Sequence, residues 1–79
     1  MNPTYDPPDQ ILARVLRQLR HDSGITQEHV AHQAGITVAA LARIERGTTN
    51  PRWTTVRRII GALNASLDDL IAAVEDAPV

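Results

Sequence analysis

Eight cationic side chains occur in the 79 residues, and all eight are Arg. A guanidinium carries a planar fork of donors that fits phosphate and guanine, where a Lys ammonium is only a point charge. The absence of Lys is read first as codon bias in a GC-rich genome, and only second as selection for that fork. Arg43, Arg46, Arg52, Arg57 and Arg58 stand against Glu45 alone over residues 41–60, a net of four positive charges. Residues 61–79 hold Asp68, Asp69, Glu75 and Asp76 and no base. The first forty residues set Arg14, Arg17 and Arg20 against Asp6, Asp9, Asp22 and Glu28. A formal net charge of -1 thus conceals a basic segment beside an acidic one, the pattern of a polarised surface.

Other chemistry finds no support. His29 and His32 lie three apart with Glu28 adjacent, but zinc needs a third and usually a fourth ligand, and there is no Cys. These histidines read as surface residues. No Ser-His-Asp grouping, phosphate-cradling Gly loop or paired-carboxylate cleft can be assembled, so neither an enzyme nor a cofactor is expected. With no Cys there is also no disulfide to staple the chain. Prolines and acids occupy the N-terminus where a signal peptide would carry basic charge and an apolar run. No apolar stretch approaches the roughly 20 residues of a membrane span. The expected location is the cytoplasm, with no membrane partner.

The elements that must position these side chains read as helices. One Tyr, one Trp and no Phe disfavour a β-sandwich and suit packing on Leu, Ile, Val and Ala. Residues 1–8, with Pro3, Pro7 and Pro8, form an arm. Asp9 caps a first helix carrying Ile11, Leu12, Val15, Leu16 and Leu19 on one face and ending near Ser23–Gly24. Thr26 caps a second, to about Gln33, that buries Val30, Ala31 and Ala34. Gly35 permits a tight turn, and Thr37 caps a third helix to about Arg46, stopped by Gly47. A fourth starts around Thr54 with Val56, Ile59, Ile60 and Leu63 at helical spacing. Ser66 with Asp69 resembles a capping box opening a fifth helix with Leu67, Leu70, Ile71 and Val74. The helical domain is expected over 9–76, with 77–79 as a tail.

Two short helices joined by a Gly-containing turn over residues 26–46 have the shape of a helix-turn-helix. The string Thr26-Gln27-Glu28-His29-Val30-Ala31-His32-Gln33-Ala34-Gly35-Ile36, then Leu41, Ile44, Glu45, Gly47, Pro51 and Ala62-Leu63, resembles the Cro/C1-type (XRE) family of bacterial and phage repressors. The likeness spans about residues 10–75. It implies an all-α, five-helix lambda-repressor-like DNA-binding domain, and a cytoplasmic regulator binding double-stranded DNA as a homodimer on an inverted repeat. An antitoxin with a toxin partner, a restriction-system controller, and a fold kept as a protein-interaction module also fit.

With residues about 100° apart on the third helix, Ala40, Leu41 and Ile44 face the core. Ala39, Ala42, Arg43 and Arg46 face outward, and Val38 and Glu45 flank them. Small residues let a backbone approach a groove floor, and Arg43 can fork onto guanine O6 and N7. The same face also suits a solvated helix, since Ala is a good helix former, or contact with a protein. The resemblance implies DNA contact by Thr37 and the outward residues, and a phosphate grip by Gln27. It also gives Arg46 and Arg52 backbone contacts, to which Asn50 and the Trp53 N–H could add. Many relatives carry Gln, Ser or Asn at the positions of Val38 and Ala39, which here can touch only thymine methyls. Direct readout is therefore thin, and shape readout gains weight.

An acid in the last turn of a helix opposes the macrodipole, so Glu45 needs compensation. The resemblance implies Arg20 as its structural ion-pair partner, and neighbouring Arg46 is the competitor. The recognition face must stay free and the first helix serves the core, which leaves the fourth and fifth helices as the expected dimer interface. Leu63 and Leu70 are assigned to the core, and Leu67, Ile71 and Val74 to the interface.

Overall fold

The computed structural model describes residues 7–78. The first six residues of the expected arm, and Val79 of the expected tail, lie outside the described residues. Five helices follow in order: α1 (Gln10–Ser23), α2 (Gln27–Ala34), α3 (Val38–Arg46), α4 (Trp53–Ala62) and α5 (Leu67–Asp76). No strand occurs among the described residues.

Four of the helices begin on a side chain. Asp9, Thr26, Thr37 and Ser66 accept from the N–H of Leu12, His29, Ala40 and Asp69, satisfying one of the donors each helix start leaves open. At α5 the exchange is reciprocal, since Ser66 N–H donates to Asp69 Oδ2 at 2.9 Å and Asp69 N–H to Ser66 Oγ at 3.0 Å. α4 differs. It starts at Trp53, one residue before the expected Thr54, and its cap residue Arg52 makes no side-chain bond to the first turn. Thr54 is the better capping type, but the extended backbone of the loop ends at Arg52 (ψ 155°), so winding begins at the next residue.

The turn between α2 and α3 depends on Gly35 at φ 71°, a conformation that strains an L side chain. It brings the Gly35 and Ile36 N–H groups onto the carbonyls of His32 and Ala31 at 3.2 and 3.0 Å. Two carbonyls at the end of α2 are thereby satisfied, and Thr37 is ready to cap α3. After α4, Asn64 takes the left-handed role at φ 56°, which Asn tolerates better than other side chains.

α2 packs on α4 and α3, α1 packs on α3 and α5, and α4 touches α5. Leu16, Val30, Leu41 and Ile59 are the large side chains sealed at the centre, surrounded by Val15, Ala31, Ala34, Ile44, Val56, Ile60, Leu63 and Leu70. Ala40 is half-buried, so the inner face of α3 rests on Leu41 and Ile44. Leu67 and Ile71 of α5 are exposed, and Val74 is half-buried against the core.

The hydrogen bonds from the Ser66 backbone and side chain hold the Asp69 carboxyl below its ordinary range. A lowered folded-state pKa contributes stability that is complete above the unfolded value and fades as pH falls through the folded one. Ser66→Ala is expected to move the Asp69 titration, followed by NMR, upward toward the ordinary carboxylate range.

Candidate nucleic-acid interface

The outer face of α3 carries little bulk. Val38, Ala39, Arg43 and Arg46 are exposed, and Ala42 is half-buried rather than fully outward. Thr37 is exposed at the helix start, with its Oγ1 accepting from the Ala40 N–H at 3.0 Å. A backbone bordered by methyl groups, with one guanidinium at mid-helix and another at the end, has the relief of a helix that can approach a groove floor.

The last turn of α3 is anchored from the other side. Glu45 is the one buried charged residue among those described, with 4% of its surface exposed. Arg20 of α1 meets it with a two-pronged contact, Nε to Oε2 at 2.7 Å and Nη2 to Oε1 at 3.0 Å. The third guanidinium nitrogen, Nη1, donates to the Ile25 carbonyl in the α1–α2 turn at 3.0 Å. Gln27, the first residue of α2, donates its amide to Glu45 Oε1 at 2.9 Å. One carboxylate thus ties three helices together, with Arg20 and not the adjacent Arg46 as its partner. The Glu45 position, a flank by helical geometry, is an interior one. Gln27, expected at phosphate, has one donor engaged inside the molecule.

Behind α3 the loop 47–52 is held against the start of α1. Gln10 donates to the Gly47 carbonyl at 2.7 Å. Asn50 uses both ends of its amide, Oδ1 accepting from the Asp9 N–H at 2.6 Å and Nδ2 donating to the Pro7 carbonyl at 3.1 Å. Arg52 and Trp53 follow, both exposed, with Trp53 61% open to solvent. The first amides of α4, which no side chain caps, lie next to Arg52. Such amides and a cation together suit an anion.

The helix-turn-helix domain family matches residues 11–74. The chain belongs to the helix-turn-helix family of transcriptional regulators. It is 34% identical over 64 residues to the regulator DdrOP3 of Deinococcus deserti, covering 81% of this chain and 50% of that one. To YazB of Bacillus subtilis, an HTH-type transcriptional regulator, it is 38% identical over 61 residues, covering 77% of this chain and 88% of that one. The chain therefore spans half the length of DdrOP3 and most of YazB. Among solved structures, the clp gene regulator ClgR from C. glutamicum superposes with a TM-score of 0.78 at 26% identity, covering 84% of this chain and 86% of ClgR. The restriction-modification controller C.Esp1396I shares the fold, with a TM-score of 0.79 at 21% identity over 84% of this chain and 86% of its own.

This regulator brings some of the sequence-derived residues together and separates others. Arg43, Arg46, Ala39 and Ala42 share one side of α3, and Arg52 and Trp53 open α4. Leu67, Ile71 and Val74 lie apart on α5. His29 and His32 are exposed, and the described residues contain no group of three or more acids, His or Cys that could hold a metal. No helix among the described residues is long and apolar enough to cross a membrane. Sequence reasoning missed Gln10, for which spacing carries no signal, and the internal bonds of Asn50 and Gln27.

Removing one partner of a buried ion pair strands the other charge, at a cost of about 3–5 kcal/mol. Arg20→Ala should therefore lose a large share of the stability in urea denaturation. The double variant Arg20→Met, Glu45→Leu should recover most of it, because an apolar pair of similar volume leaves no buried charge. A single variant as stable as the parent would show the pair to be dispensable.

Proposed function

We propose that this regulator binds an inverted-repeat operator as a homodimer, inserts α3 into the major groove, and acts as a repressor or autoregulator. The observation that carries the reading is the build of α3, whose inner edge is locked by Glu45 while its outer edge offers small residues and Arg43. A recognition helix must be rigid and must come close, and this one has the features for both. Arg43 is the candidate for a bidentate contact to guanine. Thr37, Val38, Ala39 and Ala42 supply close or apolar contact. Arg46, Arg52 and the α4 amides that begin at Trp53 supply phosphate contacts. Gln27 keeps a phosphate role only through the part of its amide that Glu45 leaves free. Asn50, with both amide ends engaged, is the weakest of the phosphate candidates.

The thin polar lining of α3 makes a protein the natural alternative partner for that face, a toxin included. Binding to DNA from the chain's own upstream region separates the two readings. Arg43→Ala should weaken operator binding by about 1–3 kcal/mol and relax preference at one base pair per half-site. Removing Arg46 and Arg52 should each lower the log–log salt slope by about 1 per half-site. A parent protein that does not distinguish its upstream region from random duplex, or a double variant with an unchanged slope, would count against the DNA reading.

Two-fold assembly is argued from readout length. One small module reads only a few base pairs, and a symmetric pair with its recognition helices about 34 Å apart doubles them. Leu67 and Ile71, at 36% and 56% exposure, give α5 an apolar outer edge, and Val74 adjoins it. Ile71→Asp should weaken the dimer in light scattering, or the two-to-one stoichiometry on an inverted repeat, without loss of helicity. One chain per duplex on an asymmetric site would sink the dimer.

A further inference from the structure

Asn50 was expected to add a phosphate contact, yet both ends of its amide are engaged within the fold. Its Oδ1 accepts from the Asp9 N–H at 2.6 Å and its Nδ2 donates to the Pro7 carbonyl at 3.1 Å. Three residues earlier, Gly47 accepts at 2.7 Å from Gln10. Gly47 is buried at φ 76°, and the Gln10 amide lies against the side on which a Cβ would stand. Segment 7–10 and loop 47–50 are therefore joined by three hydrogen bonds from two side chains, across more than 35 positions of sequence.

What this clasp holds is the connection between α3 and α4. Thr48 closes the end of α3, its N–H and hydroxyl both donating to the Arg43 carbonyl at 3.1 Å. Beyond Thr48, Arg52 gives α4 no side-chain cap. Asn50 is the anchor between those two points, and Arg46 and Arg52 flank the loop it fixes.

We infer that Gln10 and Asn50 are positioning residues that set the loop after the recognition helix, and with it Arg52 and the first amides of α4, for contact with the DNA backbone. The consequence for DNA rests on the proposed operator binding, whereas the clasp itself is a property of the free protein. Residue types alone could not assign this role. An Asn beside exposed arginines looks like a phosphate ligand, and only its bonds to Pro7 and Asp9 mark it as an anchor.

Trp53, the single Trp, lies three residues past Asn50 and is 61% exposed, so it reports on the loop directly. The experiment compares Gln10→Ala, Asn50→Ala and the double variant with the parent, each checked for helicity by circular dichroism. Trp53 emission and quenching are read in the free protein, and affinity and salt slope on the upstream duplex. Both single variants should change Trp53 quenching without DNA. Each should weaken DNA binding about 3–10-fold and lower the salt slope by up to about 1 per half-site as the Arg52 contact loosens, and the double variant should be no weaker than the weaker of the two single variants. If Asn50 instead touches phosphate, Gln10→Ala will bind as the parent does, Asn50→Ala alone will be weaker, and Trp53 will be unmoved. That result overturns the proposal. Should Asn50→Ala fail to fold, Gln10→Ala decides alone, because its side chain lies at the other end of the clasp. Should the parent not bind its upstream DNA, operator binding fails, while an altered Trp53 signal in the free variants still supports the clasp and an unaltered one overturns it.

Discussion

Glu45 occupies the last turn of α3, where the helix dipole already places negative charge, and 96% of its surface is removed from water by the surrounding helices. A carboxylate so placed is tolerable only if both oxygens are engaged, because an unpaired buried charge costs several kcal/mol. Arg20 engages both, and Gln27 adds a second bond to one of them. The three donors come from α1 and the first turn of α2, so satisfying one acid fixes the separation of all three N-terminal helices. A core of Leu, Val, Ile and Ala resists expansion but says little about rotation of a nine-residue helix about its own axis. The ion pair settles that rotation. With Glu45 turned inward, Arg43 and Arg46 can only point out.

The exposed edge of α3 gains its chemistry by the same logic. Arg20 is drawn into the interior, where its charge is cancelled, and the cations of residues 43–58 remain at the surface. The formal net charge of -1 is therefore a poor guide to the field near α3. The acids of residues 68–76 sit on α5, whose packing partners are α1 and α4, while α3 packs on α1 and α2. Arg43 and Arg46 on α3 thus share no main helix contact with these acids, whereas Arg57 and Arg58 lie on α4, which touches α5.

Much of this is legible in the sequence. Asp9, Thr26, Thr37 and Ser66 are good caps by type and serve as caps, and Gly24, Gly35 and Gly47 all adopt the left-handed conformation that ends a helix. These signals are local, which is why they can be read from a string. The start of α4 was misplaced by one residue, because its cap residue Arg52 caps nothing and its type gives no sign of the role. Periodicity put Glu45 on a flank and Ala42 fully outward. Helical angle cannot say how far a neighbouring helix reaches around: Glu45 is buried, with Arg20 of α1 and Gln27 of α2 on its carboxylate, and Ala42 is half-buried. Asn50 and Gln10 were opaque for a different reason. Their partners lie 37 to 43 positions away, and a polar side chain in a basic neighbourhood reads as a ligand for whatever charge the surface attracts.

The two long-range polar contacts divide the work on α3. At its C-terminal turn Glu45 is locked to α1 through Arg20, and immediately beyond it Gly47 is locked to the start of the same helix through Gln10. α1 is thereby bound to α3 and its cap near both of its own ends, at Gln10 and at Arg20, ten residues or roughly 15 Å apart along the axis. On α3 the same two attachments fall only two residues apart, at Glu45 and the cap Gly47, so they fix the rotation and position of its C-terminal end. The apolar contacts of Leu41 and Ile44 supply the free energy that holds α3 to the body. The polar contacts hold little by comparison, because each exchanges bonds to water for bonds to protein. Their contribution is directional. An Arg that reads a base edge through two parallel hydrogen bonds tolerates only a small error in the angle of the helix that carries it. Under the proposed operator binding, that angular precision matters more for α3 than the count of its contacts.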